Sequence, residues 1–446
     1  MLEIFEHIFS VLAIIDNLFG SYIGFTAICT CGIYLTILSR GKQFVVLFNI
    51  RSVIRDLMHE SRDSTQAGIH PIKLLFASVG GMIGIGNIVG VGFAVMVGGP
   101  GSILWMWVAS FSGMLIKYSE IYLGIKYRVK SKDNKTYNGG PMYYMQKVFK
   151  TSFFAYLSAF LICIYGVEIV QFVVLVNRFE SSFHIDRNIL VYSLLLLSLY
   201  ASSGGVSRIA SICTYFMPVF LLIYSFACLF IIFSNYQDLP KVIVEIFHGA
   251  FTGHAAYGGF VGSAMINTAY LGSSKAVYSG DIGVGYDSVM QSETRVASPI
   301  KQARLSIIAL FMDTCICTLS CLTIAVSGAW YKSNHLEPSD IMSKIFGEYF
   351  SYSEYFLTLV YFFSGFTTVI AYFTVGLKSA KFLHEQYGQI IYYLFGSSCF
   401  ILFSYFSEEK AMIIMSITSL MLLTINIFTI LKVRKEIKFY EENDKF

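Results

Sequence analysis

The sequence predicts an all-α polytopic membrane protein of about eleven transmembrane helices, with one extra N-terminal helix followed by two inverted repeats of five. Three observations predict it. The chain is poor in charge and rich in long apolar runs. Its lysines and arginines gather in alternate loops. Two glycine-rich spans fall in matching places of the two halves.

Of 446 residues, 55% are hydrophobic and 13% charged, whereas soluble domains carry roughly 25% charged residues. Such a mixture cannot clothe a water-facing surface, but it suits lipid-facing helices. The net charge of +4 gives no support to nucleic-acid binding. Cys29, Cys31, Cys163, Cys228, Cys315, Cys317 and Cys321 lie in apolar stretches with no CxxC pair. They read as small packing residues rather than metal ligands or disulfides. The first residues, MLEIFEH, hold acids where a signal peptide needs a basic segment, so no cleavage is expected.

A bilayer core needs about 20 helical residues per crossing. Segments of that kind run near 15–38, 72–98, 102–126, 153–177, 188–203, 212–233, 255–272, 303–328, 354–377, 388–406 and 411–432. Cytoplasmic loops accumulate Lys and Arg. Here the first loop holds Arg40, Lys42, Arg51 and Arg55, the third holds Lys126, Arg128, Lys130 and Lys132, and the tail holds Lys432, Arg434, Lys435 and Lys438. Eleven spans with the N-terminus outside and the C-terminus inside fit that alternation. The expected division is an extra helix over 1–40, a cytoplasmic loop over 41–71, repeats over 72–233 and 234–432, and a cytoplasmic tail over 433–446. The longest loops, near 39–71, 234–254, 273–302 and 329–353, cannot house an enzyme domain, so function must be built from the helices. No nucleotide-binding GxxxxGK[ST] loop occurs, which excludes a primary pump of that kind.

Span 2 reads LLFASVGGMIGIGNIVGVGFAVMVGGPG, with Gly80, Gly81, Gly84, Gly86, Gly90 and Gly92 inside 13 positions. Each interior glycine costs a helix roughly 0.5–1 kcal/mol relative to alanine. A break at membrane depth is tolerated only where protein, water or a ligand satisfies the freed backbone. Glycines at four-residue spacing also promote close helix packing, and on span 2 alone either explanation holds. The stretch around span 7 tips the balance. It carries Gly272, Gly280, Gly283 and Gly285 with Asp281 among them, five spans after span 2. Paired glycine-interrupted segments in two halves point to a transporter site. Five spans per repeat is odd, so the second copy is inverted. Half-helix N–H groups at such a break suit a carboxylate, and half-helix carbonyls suit an ammonium or Na⁺.

At these residues the chain resembles the alanine or glycine:cation symporters, from about Arg40 to Lys378. The motifs are GGMIGIGNIVGVGFAVMVGGPGSILWMWV, KYSEIYLGIKYR, YNGGPMYYM, GGVSRIA, LPKVIVEIFHGAF, GGFVGSAM and FMDT, in that order. The resemblance implies a leucine-transporter-like fold, an alternating inward and outward cycle, an amino-acid substrate and coupling to sodium. It implies a substrate site at Gly84, Ile85, Gly86, Asn87, Gln171, Tyr278, Ser279, Gly280 and Tyr372. It also implies a sodium site at Gly80, Ile83, Ser364, Thr367 and Thr368, an all-oxygen shell that suits a hard cation. No organic cofactor and no protein partner is expected beside the small-molecule substrate and the lipid bilayer.

The chain also departs from the family pattern. Ser279-Gly280-Asp281-Ile282-Gly283 stands where SNEAG is usual, Ile85 replaces a Thr, Tyr372 a Trp and Glu168 an Asn. These changes put substrate choice and coupling ion in doubt, and they leave open a proton-coupled transporter or one for a different amino acid. Glu168, expected three residues from Gln171 on one helical face, has three readings: a structural pair, a coupling proton, or a receptor for a cationic group. Asp281 either caps a half-helix or binds an ion. For Asp313 a structural hydrogen bond is expected, and for Lys117 and Glu120 a local ion pair. Trp105 and Trp107 read as an interfacial aromatic belt. A non-transporting amino-acid sensor is the remote rival, and it lacks an output domain.

Overall fold

The computed structural model describes residues 7–441 apart from 8, 15, 17–23, 62–66, 133, 253–267, 269, 273, 275–276 and 333–337. Helices dominate. They are α1 (Phe25–Leu38), α2 (Lys42–Phe48), α3 (Ile50–Glu60), α4 (Pro71–Met82), α5 (Val89–Gly98), α6 (Ser102–Lys126), α7 (Pro141–Val148), α8 (Phe153–Tyr165), α9 (Ile169–Phe183), α10 (Arg187–Ser202), α11 (Gly205–Ser234) and α12 (Leu239–Thr252). There follow α13 (Tyr286–Gln291), α14 (Pro299–Ser327), α15 (Pro338–Tyr349), α16 (Ser353–Leu383), α17 (Gly388–Phe403) and α18 (Glu408–Lys432). The strands β1 (Val129–Lys130) and β2 (Tyr137–Asn138) form a small antiparallel hairpin after α6.

Every expected span except the first and the seventh coincides with a helix or a helix pair, and the first, 15–38, is helical over Phe25–Leu38 with 15 and 17–23 outside the described residues. The seventh, 255–272, lies mostly outside the described residues. Among the described residues, five helices are long and apolar enough to cross a membrane, or six when one bent pair counts as a span. Three shorter apolar helices, α1, α10 and α17, accompany them. The expected connectors are not bare loops. Loop 39–71 folds into α2 and α3, loop 234–254 into α12, and loop 329–353 into α15. All four are too short to span, and α12 reads apolar on one face with Val242, Ile246 and Ala250 buried.

The bent pair is span 2. His70 opens it as N-cap, its ring accepting from the Ile72 N–H at 3.2 Å, and Pro71 sits at the first helical position, where no N–H is needed. The helix stops at Met82, and the chain turns by 63° before the second half, which begins with a 3₁₀ turn at Ile85–Asn87. That turn is packed among α9, α14 and α16. Outside it, α4 is gripped by α11, α14 and α16, while α6 lies against α1, α13 and α14. The break therefore sits in protein, where its polar backbone can find partners.

The described part of span 7 breaks too. Residues 277–280 are helical, 281–285 form turns, and α13 starts at Tyr286. Gly283 and Gly285 take φ of 73° and 92°, in the left-handed region that glycine enters without strain. A Cβ at Gly285 would collide with the Pro141 ring, so the space excludes a side chain as well.

A third interruption was not expected. Span 4 divides into α8 and α9, and Glu168 stands at the junction as N-cap of α9 with φ 52°. Glu168 and Gln171 therefore do not share a continuous helical face. Gly166 makes the junction, since a Cβ there would press on the Tyr392 hydroxyl and the Tyr372 carbonyl at 2.9 and 3.0 Å.

The segment after α18 folds back onto the bundle. Phe439 stacks on Tyr118 with ring centroids 5.3 Å apart, the Tyr118 hydroxyl donates to the Lys438 carbonyl at 2.8 Å, and the Tyr440 hydroxyl donates to the Ser39 carbonyl at 2.9 Å.

Candidate functional site

Two polar centres form where the broken segments meet. The first surrounds the span 2 break. Freed from helical partners, the Gly84 N–H donates to Asn87 Oδ1 at 3.1 Å, and the Ile85 N–H donates to Gln171 Oε1 at 2.9 Å. Asn87 turns its amide outward, and Nδ2 donates to Asp313 Oδ1 at 2.6 Å and to Cys317 Sγ at 3.1 Å. Asp313 Oδ2 accepts from the Ser279 hydroxyl at 3.3 Å. Asp313, on α14, thus ties the span 2 break to the end of the span 7 half-helix. It is wholly buried, and such a carboxylate is retained only where donors compensate it.

Space at this centre is tight. A Cβ at Gly84 would lie 2.7 Å from Thr368 Oγ1 and 2.9 Å from Gln171 Nε2, and one at Gly86 would lie 3.0 Å from the Tyr278 ring. The glycines let three side chains approach the backbone where a ligand backbone could also approach.

The expected sodium residues are partly convergent. Thr368 Oγ1 donates to the Gly80 carbonyl at 3.1 Å and to the Ser364 carbonyl at 3.0 Å, joining α16 to the end of α4 just before Ile83. The Thr367 hydroxyl donates instead to the Phe363 and Ser364 carbonyls of its own helix and meets Met217 Sδ at 3.5 Å on α11.

The second centre lies at the span 7 break. Asp281 Oδ1 accepts from the Tyr165 hydroxyl at 3.2 Å. Tyr372 is found here, not at Gly84–Asn87; it stacks on Tyr286 at 4.1 Å and meets Tyr165 edge-on at 5.4 Å. Tyr286 donates to the Ala77 carbonyl at 3.0 Å, which fastens this centre to α4. Lys117 enters from α6. Its ammonium pairs with Asp287 Oδ2 at 2.8 Å and donates to the Gly280 carbonyl at 2.6 Å, while Ser78 donates to Asp287 Oδ1. The local Lys117–Glu120 pair expected from their spacing does not form, because Asp287 competes from across the interface with a second hydrogen-bond donor already in place. Glu168 lies between the centres, facing Tyr278 and Asp281. Among the described residues, one oxygen of Glu168 and one of Asp281 are buried with no hydrogen-bond partner.

Sequence reasoning named most of the first centre. It missed Tyr165 and the Lys117–Asp287 pair, and it expected a structural hydrogen bond at Asp313 without naming Asn87 and Ser279 as its partners. The available signal was the presence of charged residues at membrane depth, which is expensive and therefore informative. Trp105 and Trp107 donate to the Ala250 carbonyl and the Thr318 hydroxyl, each at 2.9 Å, so both indoles serve packing contacts within the bundle.

A multi-pass bundle of apolar helices with interrupted segments at its centre defines a membrane-transporter architecture. A mutant of the manganese transporter of Eremococcus coleocola shares this fold, with a TM-score of 0.54 over 81% of this chain and 77% of that one at 15% identity. The chain belongs to the sodium:alanine symporter family, whose model matches residues 5–445. It is 28% identical to the sodium/alanine symporter AgcS of Methanococcus maripaludis, over 81% of this chain and 80% of that protein. It is 27% identical to a probable sodium/glutamine symporter, GlnT, of Bacillus subtilis, over 97% of this chain and 91% of that protein. Sodium-coupled symport of an amino acid is the function that the family and these relatives support.

Proposed function

We propose that this protein carries a small neutral amino acid, alanine or glycine, together with sodium, by alternating access around the breaks in spans 2 and 7. The two repeats, 72–233 and 234–432, would be related by inversion, with the Lys- and Arg-rich loops on the cytoplasmic side. The observation that supports this most directly is the span 2 break, where Ile85 N–H is held by Gln171 Oε1 and Gly84 N–H by Asn87 Oδ1. A side-chain carbonyl oxygen stands where a substrate carboxylate oxygen would bind. The substrate displaces Gln171 from Ile85 and is retained by Gly84, Ile85, Gly86 and Asn87, with the positive end of the half-helix behind them. Tyr278, Ser279 and Gly280 close over the amino end, and Tyr372 with its stacked partners supports them.

Sodium binds between Thr368, Ser364 and the carbonyls of Gly80 and Ile83. Thr368→Val removes a hydroxyl ligand and is expected to raise the half-saturating sodium concentration by about tenfold, the equivalent of one hydrogen bond of ~1.4 kcal/mol. Thr367→Val, whose hydroxyl meets Met217 Sδ on α11 and not the Gly80 carbonyl, leaves the sodium dependence unchanged. Sodium titrations of initial uptake by the two variants check this; equal effects would remove Thr368 from the ion site.

The buried oxygens of Glu168 and Asp281 favour a second reading, in which a proton or a cationic substrate group is received between the two centres. Proteoliposome uptake across a panel of amino acids, under an imposed sodium or proton gradient, separates the two. Sodium-stimulated uptake of alanine or glycine is expected; uptake indifferent to sodium overturns the first reading in favour of the second.

A further inference from the structure

Glu120 lies on α6 within a turn of Lys117, yet the lysine's charge is spent elsewhere, on Asp287 Oδ2 and the Gly280 carbonyl. Glu120 is 0% exposed, and among the described residues no side-chain donor meets either carboxyl oxygen. The charged and titratable groups that face it are Lys117 from its own helix, Asp281 and Asp287 from the span 7 break, and Tyr144 from α7, with the Gly285 N–H opposite. Three carboxyl groups therefore share one ammonium, and that ammonium already has a partner. An ionised carboxylate buried without compensation is strongly unfavourable, and taking up a proton removes the charge.

We propose that Glu120 is a proton site of the transport cycle. It holds a proton while α6 and the span 7 break are packed as they are here, and releases it when they separate. In the release step the acid's O–H bond breaks, the electron pair stays on the carboxylate, and the proton passes to water entering the interface. The location fits that role. The Glu120 carbonyl accepts from the Ser288 hydroxyl at 2.8 Å, and Gly124, one turn on, packs so closely that a Cβ would lie 2.8 Å from the Ser288 carbonyl oxygen. Glu120 is thus sealed by contact with span 7 itself. Any movement of that segment against α6, as the function proposed above requires, admits water to the carboxyl group and makes ionisation affordable. The closed packing binds one proton more than the open one, so rising pH opposes closure.

The test uses the full-length protein in proteoliposomes and compares wild type with Glu120→Gln, each normalised to its own maximum. Wild-type sodium-driven alanine uptake is expected to fall toward alkaline pH, by up to about tenfold per pH unit beyond the midpoint, the limit for one proton. Glu120→Gln, a neutral isostere, is expected to be flat across that range. Infrared spectra of the purified protein provide a readout independent of transport, since a buried carboxylic-acid carbonyl band should be present in wild type and lost in Glu120→Gln. Coincident pH profiles, or a wild-type spectrum without that band, overturn the proposal. If wild type shows no sodium-driven alanine uptake at any pH, the function proposed above falls, while the infrared band still decides whether Glu120 carries a proton.

Discussion

Replacing Lys117 by methionine is expected to destabilise the fold by about 3–5 kcal/mol, the range measured when one partner of a buried ion pair is removed. Lys117 and Asp287 are both 0% exposed, and their 2.8 Å contact neutralises a carboxylate that no water reaches. Methionine matches the length of the lysine stem but leaves Asp287 with only the Ser78 hydroxyl. It also frees the Gly280 carbonyl at the end of the span 7 half-helix. The loss should appear as a lower melting temperature of the detergent-solubilised protein and as poor recovery from the membrane. The double variant Lys117→Met with Asp287→Leu removes both charges, and should recover much of the stability because an apolar pair of similar volume can replace a buried salt bridge. A single variant as stable as wild type would mean that Asp287 does not depend on the Lys117 ammonium, and the electrostatic account of the span 7 break would fail with it.

The same pair shows why only part of the site was legible in the sequence. Lys117 and Glu120 have the spacing of a helical ion pair, and spacing is all that a single segment reveals. Asp287 arrives from a segment 170 positions later in the chain and wins because Ser78 and the turn at Gly283–Gly285 hold its carboxylate in place. The breaks in spans 2 and 7 were legible because glycine accumulates at both, and glycine density is a local signal. The interruption at Gly166–Glu168 had one glycine and no proline. A left-handed non-glycine residue costs about 1–2 kcal/mol, and the structure bears that cost through tertiary contacts of Gly166 with Tyr392 and Tyr372 that no local pattern announces. The loops offered a similar lesson. Apolar runs of span length located the long helices, whereas α2, α3, α12 and α15 are short, and their propensity does not rise above that of an ordinary connector. The fold around the tail was hidden by its own charge, since a Lys-rich terminus reads as solvated although Phe439 and Tyr440 dock it.

Asp313 sets the relation between the two broken segments, and its removal is expected to abolish transport while leaving the bundle assembled. Asp313→Ala deprives the Asn87 amide and the Ser279 hydroxyl of their shared acceptor. Hydrogen bonds to a charged group contribute about 1.5–3 kcal/mol each, so the loss of two corresponds to at least a hundredfold fall in the population of the joined arrangement. Asn87 would no longer be fixed with Oδ1 toward the Gly84 N–H, and the span 2 break would lose the geometry that receives a carboxylate. Asp313→Asn keeps one acceptor oxygen and is expected to fall between Ala and wild type. Cys317→Ala removes only the weaker sulfur contacts to Asn87 and to the Ser279 hydroxyl and should transport nearly as wild type does. Alanine binding to the purified variants, measured alongside uptake and elution behaviour, distinguishes a misplaced site from a misfolded chain: Asp313→Ala should elute normally and bind poorly. Were it to bind and carry alanine at the wild-type level, the two breaks would be independent, and the convergence of Asn87 and Ser279 on one carboxylate would be a packing contact without consequence for transport.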